Sequence, residues 1–339
     1  MSFPYLSRLF GLALVPLMAV TAHAAEVTGA GSSFVYPVLS KWSASFHEKT
    51  GHQINYQSIG SGGGIAQIKA GTVDFGASDA PLPASDLAQF GLGQFPVVIG
   101  GIVPVVHIEG IAPGRLRLTG PLLARIFMGE IKTWNDPALS RINPGLKLPA
   151  SAIFVVHRSD GSGTTYNFTN YLAKVSPRWQ KSLGFGTSVP WPVGVGGKGN
   201  EGVSAYVNQI RNSIGYVEYA YALQNRMAYT QLENAAGRFL EPNNAAFAAA
   251  AATADWAHAE DFNLIMTNAP GEKAWPITAT TWAIMYKQPK DATRARAAFE
   301  FFKWAFEHGQ PQAGSLDYVP LPPSLVRQIE GYWHERFKS

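Results

Sequence analysis

The segment IFVVHRSDGSGT, residues 153–164, contains the pattern from which the fold class follows. Its first four residues, 153–156, are apolar and predict a short buried strand. A polar loop rich in glycine and serine follows directly, and helical spacing begins after it, over residues 166–175. A strand that leads through such a loop into a helix is the repeating unit of an α/β fold.

The same succession occurs near the N-terminus. Residues 52–59 alternate between apolar and polar and predict a strand, which ends at the glycine cluster 60–64. A helix is predicted next, over residues 65–70, and a second short strand over residues 73–78. In open α/β sheets, ligands bind at the carboxyl ends of the strands, so these polar loops are the first place to look for a site.

Three further elements follow from the pattern. The apolar run 95–106 is too short for a normal membrane helix and predicts a buried strand. Residues 295–306 have helical spacing, and Gly309 is well placed to end that helix. The alanine-rich stretch 244–254 predicts a surface helix. With 339 residues, the chain is expected to form two domains or lobes.

Composition excludes several classes of protein. Hydrophobic residues make up 46% of the chain and charged residues 15%, which excludes intrinsic disorder. There is no cysteine, so disulfides, zinc–thiolate sites, iron–sulfur clusters, a thiol nucleophile and a lipidated cysteine are excluded. The formal net charge is +4, but the basic residues are scattered, so we expect no nucleic-acid partner. A mild positive charge fits a small anion equally well.

The N-terminus has the features of a secretory signal peptide. Arg8 precedes the apolar run 9–20, and Ala22, His23 and Ala24 form a small-residue cleavage site. We therefore predict a cleaved signal peptide over residues 1–24 and export of the mature protein. The alternative for this segment is a buried first helix.

Four segments combine small residues with hydroxyls: 28–34, 59–64, 76–80 and 158–164. Each would place hydroxyls and backbone N–H groups at the start of a helix, where the helix dipole favours anions. Serine and threonine are also ordinary helix caps, which is the alternative for any one segment. Four in one chain favour an anion site.

Arg158 and Asp160 are the most informative pair. Arg158 follows a buried strand, where an uncompensated guanidinium would be costly, and it can donate two parallel N–H bonds to an oxyanion. Asp160 can hold Arg158 in place. The alternative is a structural salt bridge.

Asp79 is the exception among these donors. A carboxylate beside a bound anion is repulsive unless the ligand has a proton to donate. Phosphate has one near neutral pH, because its second pKa is about 6–7, as in phosphomonoesters, whereas sulfate has none. An Asp acceptor would therefore select phosphate over sulfate by roughly a thousandfold. The alternative for Asp79 is a cap or turn residue before Pro81.

Motifs for common enzyme classes are missing from the sequence. It has no P-loop, no G-x-S-x-G and no H-E-x-x-H, and the histidines lack metal-ligand spacing. We therefore expect no metal, no cofactor and no enzyme activity, although a Ser/His/Asp triad assembled from distant residues stays open. Nine tryptophans and thirteen tyrosines suggest sugar stacking, but most lie in apolar periodic stretches, which favours core packing.

Taken together, several segments resemble the periplasmic phosphate-binding proteins of phosphate-specific ABC transporters. The resemblance extends over the whole mature chain and is carried by residues 28–34, 73–82, 129–136, 158–164, 191–200, 214–219 and 275–278. It implies two α/β lobes, one formed by residues 25–106 with 283–339 and the other by residues 107–282, with the ligand in a cleft between them.

The resemblance also implies the site. Phosphate would be held by hydrogen bonds from Ser33, Phe34, Ser61, Asp79, Arg158, Ser162, Gly163 and Thr164, with Phe34 and Gly163 using backbone N–H groups. Asp160 would support Arg158 from behind. This chain has Ser33 and Gly62 where the family often has threonine and a second hydroxyl.

By the same resemblance, the protein would be a monomer, free in the periplasm, that passes phosphate to a permease and its ATPase. Three other functions stay open. One is a receptor for another oxyanion such as sulfate or molybdate, against which Asp79 argues. Another is a secreted phosphatase with a serine nucleophile such as Ser162. The last is an adhesin or signalling protein that keeps the fold without binding an anion.

Overall fold

The computed structural model describes residues 24–338 and has an α/β architecture. The strands, in chain order, are β1 (Glu26–Gly31), β2 (Gln53–Ser58), β3 (Phe75–Ser78), β4 (Leu92–His107), β5 (Arg117–Leu118), β6 (Phe154–Arg158), β7 (Val195–Gly197), β8 (Ser213–Glu218), β9 (Ala228–Tyr229), β10 (Gln231–Glu233), β11 (Phe239–Leu240) and β12 (Thr278–Tyr286). The predicted signal peptide, residues 1–24, falls outside the described residues except for Ala24 and stays a prediction.

Helices alternate with these strands. They are α1 (Tyr36–Thr50), α2 (Ser61–Ala70), α3 (Ala84–Phe90), α4 (Gly120–Phe127), α5 (Pro137–Ile142), α6 (Gly163–Val175), α7 (Pro177–Ser182), α8 (Gly199–Gln209), α9 (Tyr219–Gln224), α10 (Asn244–Ala251), α11 (Ala292–Glu307), α12 (Gln310–Gly314) and α13 (Pro323–Arg336). Two short 3-10 turns, Trp256–His258 and Glu260–Phe262, precede β12. Within residues 24–338, no helix combines the length and apolar character needed to cross a bilayer.

Most strands belong to one mixed sheet of nine. The order is β2-β1-β3-β12-β4-β8-β6-β7, and β9 pairs with β4. Strands β1, β2 and β3 are parallel to each other, and so are β6, β7 and β8. A small second sheet has the order β11-β10-β5. Two groups of parallel strands on either side of β12 and β4 give the molecule its two lobes.

Strand β4 connects the two groups. Its first part, Leu92–Gly101, pairs antiparallel with β12, and its last part, Ile102–His107, pairs antiparallel with β8. Every residue of β4 is buried except the half-buried His107. The structure thus confirms the buried strand predicted over 95–106, and burial on both faces explains why its apolar run is continuous.

Two helices begin earlier than the sequence predicted. Helix α2 starts at Ser61 instead of residue 65, and α6 starts at Gly163 instead of residue 166. Glycine disfavours helices, but the first turns of α2 and α6 pack so close to neighbouring segments that a Cβ at their glycines would clash. A Cβ on Gly64 would lie 2.5 Å from Gly31 Cα, and a Cβ on Gly163 would lie 2.6 Å from Asp79 Cβ. Close packing of backbone therefore decides where these helices begin.

One other expectation needs correction. The alanine-rich helix α10 is not simply a surface helix, because it buries Phe247 fully against β4.

Helix α11 ends at Glu307, just before Gly309, as the sequence predicted. Gly309 is not left-handed, since its φ is −80°. Its lack of a side chain instead makes room for Trp42, whose Nε1 donates to Gly309 O at 2.8 Å.

The tryptophans serve the core, as predicted. Five are fully buried, and each donates its indole N–H to a carbonyl oxygen at 2.8–3.0 Å: Trp42, Trp134, Trp179, Trp275 and Trp282. Each bond satisfies a buried indole N–H, so these contacts fix the orientation of five of the largest core side chains.

Candidate functional site

The polar loops of the two lobes meet at one junction. Loops that follow β1, β2 and β3 lie on one side, and loops that follow β6 and β7 lie on the other. Gly62 N donates to Gly161 O at 2.8 Å across the junction, and Asn200 N donates to Ser33 Oγ at 3.0 Å. Because parallel strands end at the same edge of a sheet, each lobe presents its loops together.

All eight residues predicted to bind the ligand lie at this junction. They are buried, with exposed fractions of 4% or less for the seven that carry side chains: Ser33, Phe34, Ser61, Asp79, Arg158, Ser162 and Thr164. Gly163, the eighth, is also buried and begins α6. The structure therefore brings together residues that are as much as 131 positions apart in the sequence.

Arg158 is held by Asp160, as the spacing suggested. Nε and Nη2 of Arg158 donate to the two carboxylate oxygens at 2.8 and 2.6 Å, and Gly199 N donates to Asp160 Oδ1 at 3.0 Å. Burial alone raises the pKa of Asp160, but the bonds and charge of Arg158 outweigh burial and hold this pKa below its usual value. The remaining guanidinium edge is directed to Thr164, with Nη1 at 3.4 Å from Oγ1.

Four hydroxyls at the junction already accept hydrogen bonds from N–H donors. Ser33 Oγ accepts from Asn200 N and Nδ2, at 3.0 and 2.9 Å. Ser61 Oγ accepts from Asp79 N at 3.2 Å and Gly163 N at 3.0 Å.

The other two hydroxyls follow the same rule. Ser162 caps α6 by accepting from Thr165 N at 3.0 Å, and Thr164 Oγ1 accepts from Arg158 Nη1 and Asn200 Nδ2. A hydroxyl carries one proton, and a hydroxyl whose lone pairs are engaged by N–H donors keeps that proton to donate. The junction is therefore arranged to offer four O–H donors.

Asp79 is an acceptor among these donors. Its side chain is 1% exposed, and Oδ1 accepts from Ser32 Oγ at 2.5 Å and Thr281 Oγ1 at 2.7 Å. Burial raises the pKa of Asp79 to about 6, although the hydrogen bonds from Ser32 and Thr281, the charge of Arg158 and the contact with Ser61 lower it. Helix α3 begins only at Ala84, so Asp79 is not a helix cap.

The junction carries no net positive charge that would attract an anion. Arg158 and Asp160 neutralise each other, so an anion gains no net countercharge and meets the additional carboxylate of Asp79. Attraction for an anion must come from local dipoles, namely the O–H and N–H groups and the N-termini of α2 and α6. These two helix ends are in contact, because Gly163 N donates to Ser61 Oγ. Such a site selects by hydrogen-bond complementarity more than by charge.

Sequence reasoning missed four residues that organise the site. Ser32 and Thr281 bond to the Asp79 carboxylate, Asn200 bridges Ser33 and Thr164, and Asn167 Nδ2 donates to Asp79 O at 2.6 Å. Ser32 and Asn200 stand in segments singled out from the sequence, next to residues that were chosen. Thr281 lies 202 residues from Asp79 in a buried strand, and no local pattern marks it.

The backbone donors assigned to the ligand have protein partners in this structure. Phe34 N donates to Ser32 Oγ at 3.0 Å, and Gly163 N donates to Ser61 Oγ at the same distance. Their contact with a ligand stays a prediction.

Comparison with known proteins identifies relatives over nearly the whole chain. The profile of a family described as a PBP superfamily domain matches residues 19–308. A protein of Xylella fastidiosa (strain 9a5c) named Phosphate-binding protein PstS is 62% identical, over 97% of this chain and 90% of that protein. Its namesake in Pasteurella multocida (strain Pm70) is 52% identical, over 96% of this chain and 95% of its own length.

Among solved structures, a high-affinity periplasmic phosphate-binding protein (PfluDING) bound with phosphate at pH 8.5 has a TM-score of 0.74. Its identity to this chain is 22%, and the match covers 90% of this chain and 93% of that chain. This likeness concerns the fold, and it confirms the predicted two-lobe α/β class.

Proposed function

The chain belongs to the PBP superfamily and, within it, to the PstS phosphate-binding proteins, and on this basis we propose that it is a receptor for inorganic phosphate. It binds the anion at the junction of the lobes and delivers it to the permease of an ABC importer, which is driven by its ATPase. No cofactor or metal takes part in this function.

The observation that carries the proposal is the combination of donors with one acceptor. Ser33, Ser61, Ser162 and Thr164 keep their hydroxyl protons for a ligand because N–H groups already occupy their lone pairs. An oxyanion accepts all of them. Asp79 in addition requires a ligand that donates a proton, which hydrogen phosphate does at neutral pH and sulfate does not.

Binding is accompanied by closure of the lobes. We place one lobe at residues 25–106 with 283–339 and the other at residues 107–282, joined through β4 and β12. The first lobe then contributes Ser33, Phe34, Ser61 and Asp79. The second lobe contributes Arg158, Ser162, Gly163 and Thr164. A hinge between them brings both half-sites onto one anion.

The protein acts as a monomer in the periplasm after removal of residues 1–24. It is a binding protein and not an enzyme, because a phosphatase needs a base to take the proton of its serine. Ser162 Oγ accepts from Thr165 N, and His157 Nδ1 lies 3.0 Å from Arg158 O instead of contacting a serine.

Calorimetric titration of ligand-stripped protein tests this function. Wild type should bind one phosphate tightly and give no heat with sulfate, a preference of about a thousandfold. Asp79→Asn, which can donate an N–H bond, should gain sulfate binding and lose at least tenfold of that preference. Asp255→Asn, with its side chain 65% exposed, is the matched control and should titrate as wild type does.

Two results would contradict the proposal. Equal binding of phosphate and sulfate by wild type would remove the role of Asp79. Turnover of a chromogenic phosphomonoester that disappears in Ser162→Ala would make the protein an enzyme instead of a receptor.

A further inference from the structure

Two hydroxyls that belong to no predicted binding set converge on Asp79. Ser32 comes from the loop between β1 and α1, and Thr281 comes from the middle of β12. Both are buried, with exposed fractions of 1% and 0%, and both donate to the same carboxylate oxygen, Oδ1. Since both bonds go to Oδ1, the other oxygen is the one left for a proton from the ligand.

The direction of the Ser32 bond is fixed by its second contact. Phe34 N donates to Ser32 Oγ at 3.0 Å, so the Ser32 proton is free to point at Asp79. A hydroxyl that donates to a carboxylate stabilises the ionised form. At this junction, two such donors hold a carboxylate that burial drives toward the neutral form.

The other groups around Asp79 stabilise its ionised form less than the Ser32 and Thr281 hydroxyls do. The charge of Arg158 also lowers the pKa of Asp79, but less than either hydroxyl does, and its guanidinium is paired with Asp160. Tyr56 and Tyr318, the other titratable groups that sense Asp79, have pKa values raised by burial and stay neutral. From α6, Gly163 and Asn167 pack against the backbone of Asp79 and carry no charge. Ser61 accepts the Asp79 N–H, and its side chain also lowers the pKa of Asp79, but less than Ser32 and Thr281 do.

We propose that Ser32 and Thr281 determine specificity by keeping Asp79 ionised, so that the site accepts an oxyanion that carries a proton and rejects one that does not. This proposal rests on the proposed phosphate function and adds residues to it. Loss of a hydroxyl would let Asp79 bind a proton. A protonated Asp79 donates a hydrogen bond, and the site then accepts sulfate.

Sulfate is the informative probe because it does not titrate in this pH range, whereas phosphate does. Because the pKa of Asp79 is about 6 in wild type, the comparison is made at pH 7.5 and 9.0, where wild-type Asp79 is ionised. We expect Thr281→Val to bind sulfate at least tenfold more tightly at pH 7.5 than at pH 9.0, and Ser32→Ala to behave alike. Wild type should bind sulfate at least tenfold more weakly than either variant at pH 7.5. Phosphate affinity of the variants should recover toward that of wild type as the pH rises.

Thr280→Val is the matched control. Thr280 is the neighbour of Thr281 on β12 and is equally buried, but its Oγ1 has no hydrogen-bond partner within residues 24–338. The Thr280→Val variant should reject sulfate at both pH values, as wild type does. Thr281→Ser restores the hydroxyl and should restore the selectivity of wild type, which distinguishes a lost bond from lost packing.

The outcomes separate this proposal from the one on which it rests. Titration of wild type with phosphate tests the receptor function by itself. If wild type binds phosphate and the variants, with cooperative thermal unfolding, reject sulfate throughout this pH range, then the two hydroxyls are structural and the proposal is wrong. If Thr281→Val fails to fold, the sulfate titration of Ser32→Ala decides.

Discussion

Glu218 is a buried acid beside the site whose charge state is set by its surroundings. It is 0% exposed at the end of β8, and burial raises its pKa well above its usual value. Ala220 N and Tyr318 Oη donate to Glu218 Oε2 at 2.8 and 3.0 Å, and both bonds lower this pKa. Burial outweighs these bonds, so the folded state favours the neutral acid.

A neutral acid in the folded state makes stability depend on pH. The unfolded chain ionises Glu218 near pH 4.5, whereas the folded chain keeps the proton to higher pH. Its contribution to stability is therefore full below pH 4.5 and is lost as the pH rises toward the folded pKa, by up to about 1.4 kcal/mol per pH unit. Glu218→Gln removes this loss, so the free energy of unfolding of the variant relative to wild type should rise between pH 5 and 8.

Urea unfolding of ligand-free protein at four pH values measures this difference. Asp79, whose pKa is also raised, is present in both proteins and cancels in the comparison. Parallel curves for the two proteins would mean that Glu218 is ionised in the folded state.

At the scale of elements, the start of α6 sets how closely the lobes approach. Gly163 begins the helix, and a Cβ there would lie 2.6 Å from Asp79 Cβ and 2.7 Å from Asp79 Cα. Both distances are far below van der Waals contact. The start of α6 therefore packs directly on the backbone of Asp79, which lies in the other lobe of the division that we propose, and only glycine permits this approach.

Gly163→Ala should separate binding from folding. The added methyl opposes closure and should weaken phosphate binding about tenfold to a hundredfold, as overpacking by about 1–3 kcal/mol does. In the ligand-free protein the proposed hinge lets the lobes separate, so the methyl should cost no stability there and can add the preference of alanine over glycine for a helix, about 0.5–1 kcal/mol. Calorimetry and urea unfolding measure the two effects.

Gly331→Ala is the control for this substitution. It lies in α13, where a Cβ would meet nothing within 4 Å. It should gain the same stability and keep the phosphate affinity of wild type. Wild-type affinity in Gly163→Ala would show that the lobes do not need this approach to bind phosphate.

The elements also show how far a sequence can be interpreted. Strand β4 and the helix after β6 were predictable, because an apolar run and helical spacing are local patterns. The first residues of α2 and α6 were not, since the glycines there are explained by backbone 33 and 84 residues away, at Gly31 and Asp79. The contact of Thr281 with Asp79 could not be predicted for the same reason, because the two residues are distant in the sequence. Local patterns predict elements, whereas contacts between distant segments complete the site.

In the molecule as a whole, hydrogen bonds beyond the predicted ligand contacts also cross the junction, and the proposed closure would use them. Tyr221 Oη on α9 lies 2.8 Å from Ser33 O and 2.9 Å from Glu201 Oε1. Glu201 also accepts from Ser58 Oγ at 3.0 Å. In the lobe division that we propose, these bonds join residues 107–282 to residues 25–106 beside the site, and the proposed closure would form them.

Tyr221→Phe should therefore act on release more than on capture. Without its hydroxyl, Ser33 O loses a partner in the closed form, at a cost of about 1–2 kcal/mol. That cost corresponds to phosphate dissociation about fivefold to thirtyfold faster, measured by stopped flow, while the association rate stays as in wild type, because the bond forms after encounter. Tyr206→Phe, an exposed tyrosine on α8, should change neither rate. An association rate that falls with unchanged dissociation would place Tyr221 in the encounter itself, and closure would then not depend on this contact.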